Sequence, residues 1–336
     1  MRLALRIAAV LLVVAALLGA GGWYWAKARF EGPGPLAADT TVVVDKGAGV
    51  PAIAARLAEA GVVRGAREFQ VAARLTDSGR LLKAGEYAVP AAISLRDLLE
   101  LLKSGRTVVR RLTVPEGLTS TQILALVNAE TALSGDPGPV PPEGTLLPET
   151  YHFSLGDPRA EIVARMRAGM IAALAELWAA RAPDLPVSTP EEAVTLASIV
   201  EKETGLPAER PRVAGVFVNR LRLGMKLQSD PTTIYAVTGG KGPLDRPLSR
   251  ADLRTESPYN TYFADGLPPG PIANPGRASL AATLNPERHE FLYFVADGTG
   301  GHAFAATLDE HNRNVAKWRQ IERERGAAEP AAEEAK

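Results

Sequence analysis

The feature that most constrains this chain is an apolar run near its N-terminus, residues 3–26, which is interrupted only by Arg6. About 20 apolar residues in a helix suffice to cross a bilayer, so the run predicts a single membrane-spanning helix. The sequence Trp-Tyr-Trp at positions 23–25 resembles the aromatic belt of a membrane–water interface. Arg2 and Arg6 favour a cytoplasmic N-terminus.

A cleaved signal peptide is the alternative interpretation of the same run. No A-x-A-like cleavage site precedes the aromatic cluster, so a retained anchor is favoured. Residues 31–38 are rich in Gly and Pro and predict a short, stiffened linker. We therefore expect residues 1–38 to form a transmembrane anchor and linker at the inner (cytoplasmic) membrane. The rest of the chain should then lie in the periplasm, outside the cytoplasm.

Composition excludes several classes of function. Lys and Arg total 38, as do Asp and Glu, so the net charge is zero and the sequence lacks the basic excess of a nucleic-acid-binding protein. The chain has no cysteine, which excludes disulfides and thiolate metal sites. Its four histidines are scattered without ligand spacing. We therefore expect no metal, no other cofactor and no nucleic-acid partner.

Residues 39–130 are predicted to form a small β/α module. Strands and helices are expected, in chain order, at 41–44, 50–60, 66–76, 85–89 and 94–103. The β-α-α-β order of the first four resembles a LysM module, a fold that binds N-acetylglucosamine-containing glycans; a structural spacer is the alternative. The sequence VDKG at 44–47 matches VPEG at 114–117, followed by apolar residues at the same spacings. This match indicates a duplicated strand–turn–helix unit, although coincidence between two common turns stays open.

Residues 143–325 are predicted to form a larger, mixed domain of helices and strands, and the low-complexity tail at 326–336 is predicted to be disordered. The fold class is therefore α+β. The best-defined element of this domain is a helix at 189–204. Thr189 is placed to cap it, Pro190 supplies a preset φ in the first turn, and Glu192 completes a capping box.

Two carboxylates near the end of this helix, Glu201 and Glu203, should point in roughly opposite directions, because residues two apart are separated by about 200°. Glu203 follows the more apolar stripe, formed by Leu196, Ile199 and Val200. Burial and the negative end of the helix dipole both disfavour the charged form there, so a raised pKa is expected. Such a carboxyl is suited to general acid catalysis. A solvated helix end is the alternative.

Beyond Gly224 the loops are rich in amides, tyrosines and rigid Pro/Gly turns. Tyr rings stack on pyranose faces, and Asn and Gln satisfy hydroxyl and acetamide groups, so these loops predict a sugar site. The candidates for orienting the sugar are Gln228, Tyr259, Asn260 and Tyr262. Each of them could instead bond to a neighbouring loop, and both possibilities stay open.

Five ordered segments carry a resemblance to a known family. They are ASIVEKET at 197–204, LQSDP at 227–231, YNTY at 259–262, GLPPG at 266–270, and YFVADG followed by GH within 293–302. Together with the anchor and the LysM-like module they resemble the YceG/MltG family over nearly the whole chain. Members are bitopic endolytic murein transglycosylases of the bacterial inner membrane.

The resemblance implies cleavage of peptidoglycan glycan strands between N-acetylmuramic acid and N-acetylglucosamine, which leaves a 1,6-anhydromuramic end. Lytic transglycosylases of other families carry their catalytic glutamate directly before Ser, and Glu203-Thr204 is similar to that pair, whereas Glu201 precedes Lys202. The resemblance and the helix geometry therefore both favour Glu203 as the catalytic residue. Partners in a cell-wall synthesis complex, and termination of nascent strands, follow from the resemblance and the anchor.

Ordinary glycosidases need two carboxyl groups roughly 5–9 Å apart, and Glu201 and Glu203 cannot provide that pair from opposite sides of one helix. A single acid suffices if the muramoyl acetamide and the C6 hydroxyl of the substrate supply the nucleophiles. If Asp230 faces Glu203, a hydrolytic muramidase becomes the alternative; otherwise Asp230 is a substrate-binding candidate. A non-catalytic, glycan-binding cell-wall scaffold is the rival from outside the enzymes.

Overall fold

The apolar N-terminal run forms one long helix, α1 (Arg2–Glu31), in a computed structural model that describes residues 2–333. Within it, the segment Leu5–Glu31 contains an 18-residue window with a mean hydropathy of 2.2, and no part of that window is buried against the rest of the chain. By length and composition this helix is able to cross a membrane. The helix continues beyond residue 26, so the predicted linker is shortened and starts at Gly32.

Contacts divide the chain into two compact units. The first contains residues up to Arg110 together with His152–Gly156, and the second contains Arg111–Tyr151 and the chain from Asp157 onward. The division therefore falls earlier than the predicted boundary at residue 130. The reason is that the helix of the second VPEG copy packs on elements that follow it in the chain.

The first unit has the predicted β-α-α-β order. Its elements after α1 are β1 (Thr40–Val44), α2 (Val50–Glu59), α3 (Ala66–Leu75), β2 (Gly85–Val89) and α4 (Leu95–Ser104). The two strands are antiparallel, with Val42 opposite Tyr87. Phe69, Tyr87 and Leu98 are fully buried at the centre of its core. Strand-period alternation puts Val42 and Val44 on that core, which gives the sheet one buried face.

The segment that follows α1 is attached to the first unit instead of forming a free spacer. Gly34 N–H donates to the Ala92 carbonyl at 3.0 Å, and Ala92 N–H donates to the Leu36 carbonyl at 2.8 Å. The Arg64 guanidinium donates to the Pro33 carbonyl at 3.0 Å. These bonds satisfy backbone groups that a flexible linker would leave to water, so the end of α1 and the small module form one body.

The second unit is mainly helical and mixed with short strands, which confirms the α+β class. The elements from residue 110 onward are β3 (Arg110–Thr113), α5 (Ser120–Ala129), β4 (Thr150–Phe153), α6 (Arg159–Ala179), α7 (Pro190–Glu203), α8 (Arg210–Arg222), α9 (Asp230–Thr238), a 3₁₀ turn (Asp252–Arg254), α10 (Arg277–Leu284), β5 (Tyr293–Ala296), β6 (His302–Ala305) and α11 (Leu308–Glu333). All of their residues belong to the second unit except Arg110 of β3 and His152 and Phe153 of β4, which belong to the first. Strand β3 pairs with β4, and the predicted C-terminal hairpin is β5–β6.

Helix α7 is the centre of this unit and contacts α6, α8, α9 and α10. Residues 193–200 are all buried, so the helix is covered on every side. The sequence predicts one more apolar stripe and one less apolar stripe on this helix, and the structure buries both. Two stripes of unequal hydrophobicity therefore do not distinguish its faces, and the tertiary partners of each side chain decide its environment.

Two predictions about the chain's organisation have different outcomes. The turn glycines of the duplicated unit, Gly47 and Gly117, share a left-handed conformation with φ of 80° and 75°. The two copies lie in different units, however, so they do not form one module. Helix α11 continues to Glu333 instead of ending near Gly326, in keeping with the helix propensity of an Ala/Glu-rich segment. The last three residues of the predicted disordered tail lie outside the described residues.

Candidate active site

The N-terminus of α7 is built as its sequence predicts. Glu192 N–H donates to the Thr189 hydroxyl at 3.1 Å, and Thr189 N–H donates back to the Glu192 carboxylate at 3.4 Å. Pro190 occupies the first helical position. This reciprocal cap fixes where the helix begins, and therefore which residues occupy its last turn. That turn carries Glu201 and Glu203.

Glu201 is a structural ion-pair partner. Its Oε1 accepts a hydrogen bond from Arg210 at 3.1 Å, and its Oε2 accepts one from Gly276 N–H at 2.8 Å. The side chain is only 4% exposed. Arg210 also bonds Glu116 at 2.9 Å. A Cβ on Gly276 would lie 1.9 Å from the Glu116 carboxylate, so any larger residue at position 276 would displace that carboxylate from its present place.

Glu203 has a different environment. Its Oε1 accepts a hydrogen bond from the Ser229 hydroxyl at 2.5 Å, while its Oε2 accepts none from the described part of the chain. Burial raises the pKa of Glu203 from 4.5 to about 7, the Ser229 bond opposes that rise, and the charge of Asp230 adds to it. Near neutral pH this carboxyl exists in both protonation states, which general acid–base chemistry requires.

A second carboxylate, Glu209, joins the end of α7 to the β5–β6 hairpin. Its Oε1 accepts from His302 N–H at 2.9 Å, and its Oε2 lies 2.7 Å from His302 Nδ1. Thr204, the residue after Glu203, donates to the same Oε2 at 3.4 Å. These bonds hold the imidazole of His302 in place near Glu203. At that position it favours the charged form of Glu203 electrostatically.

Asp230 and Tyr262 lie on the side of Glu203 that α9 provides. Asp230 is exposed at the first position of α9, and its Oδ1 accepts a hydrogen bond from the Tyr262 hydroxyl at 2.6 Å. Burial and this bond to a carboxylate raise the pKa of Tyr262, which keeps it a proton donor. The structure therefore brings Asp230, Tyr262 and Glu203 together.

Gln228 and Tyr259 flank this group in different ways. Gln228 has a positive φ of 50°, and its backbone N–H donates a hydrogen bond to the Thr261 carbonyl at 3.2 Å. The residue is exposed to solvent. Tyr259 is half-buried, with its ring centroid 4.9 Å from that of Tyr235. Gln228 thus presents a free amide side chain to solvent, while Tyr259 combines a packing role with a partly exposed ring.

Asn260 corrects the sequence-based assignment. It is fully buried, and its Oδ1 accepts from the Thr233 hydroxyl at 2.8 Å and from Tyr262 N–H at 3.1 Å. Its Nδ2 donates to the carbonyls of Leu253 and Thr255 at 3.1 and 2.9 Å. The amide has no capacity left for a sugar, so the prediction that Asn260 binds substrate is wrong. Asn260 holds the loop that carries Tyr262.

Sequence reasoning missed Ser229, Glu209, Arg220 and His302. Ser229 and His302 stand inside the motifs LQSDP and YFVADG…GH, so a signal was present without an assigned role. Arg220 is buried, donates to the Leu292 carbonyl at 2.6 Å and the Leu227 carbonyl at 2.8 Å, and also favours the charged form of Glu203. The positive charge of Arg220 therefore acts on Glu203 through space, although its hydrogen bonds go to backbone carbonyls elsewhere.

No group of three or more His, Asp or Glu side chains is placed to hold a metal ion in the part of the chain that the structure describes. The ionisable groups that the arrangement offers are the carboxyl of Glu203, the carboxylate of Asp230 and the imidazole of His302. Together they make this a candidate general acid–base site, built on one titratable carboxyl at the end of a buried helix.

Comparisons with known proteins narrow this class. Residues 42–317 match the YceG-like family. An endolytic murein transglycosylase of Bacillus subtilis is 32% identical, with 90% of this chain and 91% of that protein covered. An enzyme of the same name from Streptococcus pneumoniae strain D39 is 32% identical over 91% of this chain, which spans only 64% of that longer protein.

The crystal structure of a YceG-like protein from Listeria monocytogenes has a similar fold, with a TM-score of 0.50 at 30% identity. The match covers 82% of this chain and 98% of the Listeria chain. The chain therefore belongs to the YceG-like family.

Proposed function

We propose that this chain is a membrane-anchored endolytic lytic transglycosylase. It cleaves the bond between N-acetylmuramic acid and N-acetylglucosamine in peptidoglycan and leaves 1,6-anhydromuramic ends. The observation that carries the proposal is Glu203: a carboxyl with a pKa raised to about 7, hydrogen-bonded through one oxygen only. Relatives named endolytic murein transglycosylases at 32% identity support the substrate class.

In the first step, protonated Glu203 donates its proton to the glycosidic oxygen. The bond between C1 of the muramoyl residue and that oxygen breaks, and the departing sugar leaves with a new hydroxyl. The muramoyl acetamide oxygen holds the positive charge at C1. Glu203 is now a carboxylate, and the hydrogen bond from Ser229 and the charge of Arg220 stabilise that form.

In the second step, the C6 hydroxyl of the same muramoyl residue attacks C1. Its proton returns to the Glu203 carboxylate, the acetamide is released, and the 1,6-anhydro ring closes. No water is consumed, and the enzyme ends in the protonation state in which it began. A group that first gives and then takes a proton works best when its pKa lies near the ambient pH, as that of Glu203 does.

Asp230 supports a second candidate, a muramidase-type hydrolase. It is exposed, accepts a hydrogen bond from Tyr262, and lies near enough to Glu203 to raise the pKa of that group. A carboxylate so placed could activate water in an ordinary glycosidase. In the transglycosylase that we propose, Asp230 instead favours the protonated form of Glu203 before the first step.

The exposed amide of Gln228, the partly exposed ring of Tyr259, and the pair of Asp230 with Tyr262 are the side chains proposed to bind the glycan. The Gln228 amide can bond to sugar hydroxyl groups, and the Tyr259 ring can stack on a pyranose face. The hydrogen-bonded pair of Asp230 and Tyr262 supplies a charged, polar surface beside them. The first unit, with its β-α-α-β order, is proposed as a LysM-like glycan-binding module. Helix α1 is proposed to anchor the chain in the cytoplasmic membrane with both units on the outer side, where partners of a cell-wall synthesis complex have access to them.

The products distinguish the two candidate reactions. Digestion of purified peptidoglycan is expected to release fragments that end in 1,6-anhydromuramic acid, because the substrate's own C6 hydroxyl closes the ring. Mass spectrometry of a digest in ¹⁸O-labelled water measures the ratio of anhydro to reducing ends. Mostly reducing ends that carry the label would show hydrolysis and would assign Asp230 as the second catalytic carboxylate.

We further propose that the anchor directs cleavage to nascent strands close to the membrane, so that the enzyme terminates their synthesis. The support is the rigid attachment of the end of α1 to the first unit through Gly34 and Arg64. A form secreted with a cleavable signal peptide and starting at residue 27 should digest isolated peptidoglycan at the wild-type rate. In cells at matched expression it should change the glycan-length distribution, measured by chromatography of the strands. An unchanged distribution would show that the anchor does not select the site of cleavage.

A further inference from the structure

The outer end of α1 is held against helices of the first unit. Arg29 on α1 lies 4.0 Å from the carboxylate of Glu68 on α3, and Arg96 on α4 donates to Glu31 at 3.3 Å. Phe30 packs on the core of the unit. These contacts fix the direction in which α1 leaves the unit, so the aromatic positions of α1 and the exposed face of α3 occupy defined places relative to each other.

A groove with a volume of about 870 Å³ runs between α1 and α3. Its apolar lining comes from Trp23, Trp25 and Phe30 on α1 and from Val71 and Leu75 on α3. Several of these side chains are open to solvent, with Trp23 at 73%, Val71 at 56% and Leu75 at 81% exposure. A contiguous apolar surface of this kind marks a site that something covers.

Helix α3 has two distinct faces. Phe69, Ala72 and Ala73 are buried on one side. The exposed side carries Val71 and Leu75, which are four residues apart and therefore adjacent, beside exposed arginines at positions 67 and 74. An apolar stripe flanked by basic residues is the pattern of a helix that lies in the interface of a bilayer.

We propose that this surface binds the anionic phospholipids of the bilayer that α1 crosses, with α3 lying in the headgroup region. Val71 and Leu75 enter the interface, while Arg67, which lines the same groove, contacts lipid phosphates. The occupant follows from continuity with α1: interfacial tryptophans lie at headgroup depth, and Leu75 lines the groove with Trp23 and Trp25. The inference rests on the proposed membrane span of α1.

The experiment uses the full chain in lipid nanodiscs and exploits its lack of cysteine, since a single introduced thiol is then unique. Nitroxide labels are attached to three variants, each substituted at an exposed position: Leu75→Cys on α3, Ala55→Cys on α2 as the matched control, and Leu12→Cys within α1. Power saturation measures collisions with oxygen, which concentrates in lipid, and with a water-soluble nickel chelate. We expect the oxygen-to-nickel ratio at position 75 to exceed that at position 55 several-fold, and position 12 to give the highest ratio.

Each failure has its own signature. A label at position 75 that is as accessible to nickel as position 55, with position 12 in lipid, would overturn the lipid surface while leaving the anchor intact. A label at position 12 that is open to nickel would instead overturn the membrane span itself. A label at position 75 that is shielded from both reagents would show a protein partner on the surface and would also overturn the proposal.

A second experiment tests whether the surface prefers anionic lipids. With phosphatidylglycerol in the nanodisc, Arg67→Gln should lower the population with α3 in lipid by about five-fold, as expected for one arginine near an anionic surface. In discs of neutral phosphatidylcholine the same variant should have no effect. Arg56→Gln, an exposed arginine on α2, is the matched control and should behave like the wild type in both lipids. Equal ratios at position 75 in neutral and anionic discs would overturn recognition of anionic lipid.

Discussion

Glu203→Gln is expected to lower the rate of strand cleavage by a factor on the order of 10²–10⁴, the usual effect of removing a general acid–base group. The amide keeps the shape of the side chain and can still accept the Ser229 hydrogen bond at Oε1. It has no proton that can be transferred to a glycosidic oxygen. The measurement is the initial rate at which purified peptidoglycan releases soluble anhydro-ended fragments, with the folded state of the variant checked by circular dichroism.

Glu201→Gln is the matched control, because it makes the same chemical change in the same helical turn. Glu201 binds Arg210 and the Gly276 N–H, so this variant should lose stability while its cleavage rate stays within an order of magnitude of the wild type. If a folded Glu201→Gln protein were inactive and Glu203→Gln active, the assignment of the acid would have to be exchanged between the two residues.

The position of α7 in the sequence could be predicted because the determinants of where this helix begins are local. The cap formed by Thr189, Pro190 and Glu192 depends on three neighbouring positions, and the structure has it as predicted. Glu201 and Glu203 have different partners, as expected for side chains that leave the helix in opposite directions. The predicted contrast between a more apolar and a less apolar stripe is absent, because residues 193–200 are all buried. What separates the two glutamates is long-range: Arg210 lies beside one, and Ser229 beside the other.

The loop residues show the limit of sequence reasoning most clearly. A polar side chain in a Pro/Gly-rich loop can face a substrate or bond to its own protein, and composition favours neither. Asn260 bonds to Thr233, 27 positions earlier in the chain, which no local pattern indicates. Glu209 and His302 meet across 93 positions for the same reason. The motifs identify which segments matter, whereas the roles of their members depend on the tertiary fold.

The linker gives a second example, from the other end of the chain. Its Gly and Pro content predicts a stiff spacer, but glycine also permits the close backbone approach by which Gly34 bonds to Ala92. A Cβ at position 34 would lie 2.2 Å from the Ile93 carbonyl oxygen. The same composition therefore fits both a stiff spacer and a segment docked on the first unit, and only the presence of a bonding partner such as Ala92 distinguishes the two.

The ionisation of Glu203 also links activity and stability to pH. Burial raises its folded-state pKa to about 7 from an ordinary value of 4.5, so folding favours the protonated form. The stability that this proton binding contributes is fully present below about pH 4.5 and is lost as the pH rises through about 7. Above that pH the folded protein carries a carboxylate in a buried position. Cleavage should decline over the same interval, because the first step needs the proton.

Glu203→Gln should therefore be more stable than the wild type at alkaline pH, although it is inactive. A shift from 4.5 to about 7 corresponds to at most about 3 kcal/mol, because the side chain retains some contact with solvent. The test compares urea unfolding of both proteins in detergent micelles at about pH 5 and about pH 8.5. The variant's advantage should be small at the lower pH and approach its full value at the higher one. The contradicting result would be a stability difference between variant and wild type that is absent or is the same at both pH values. It would show that Glu203 ionises as readily in the folded protein as in the unfolded chain. The raised pKa on which the proposed acid depends would then be wrong.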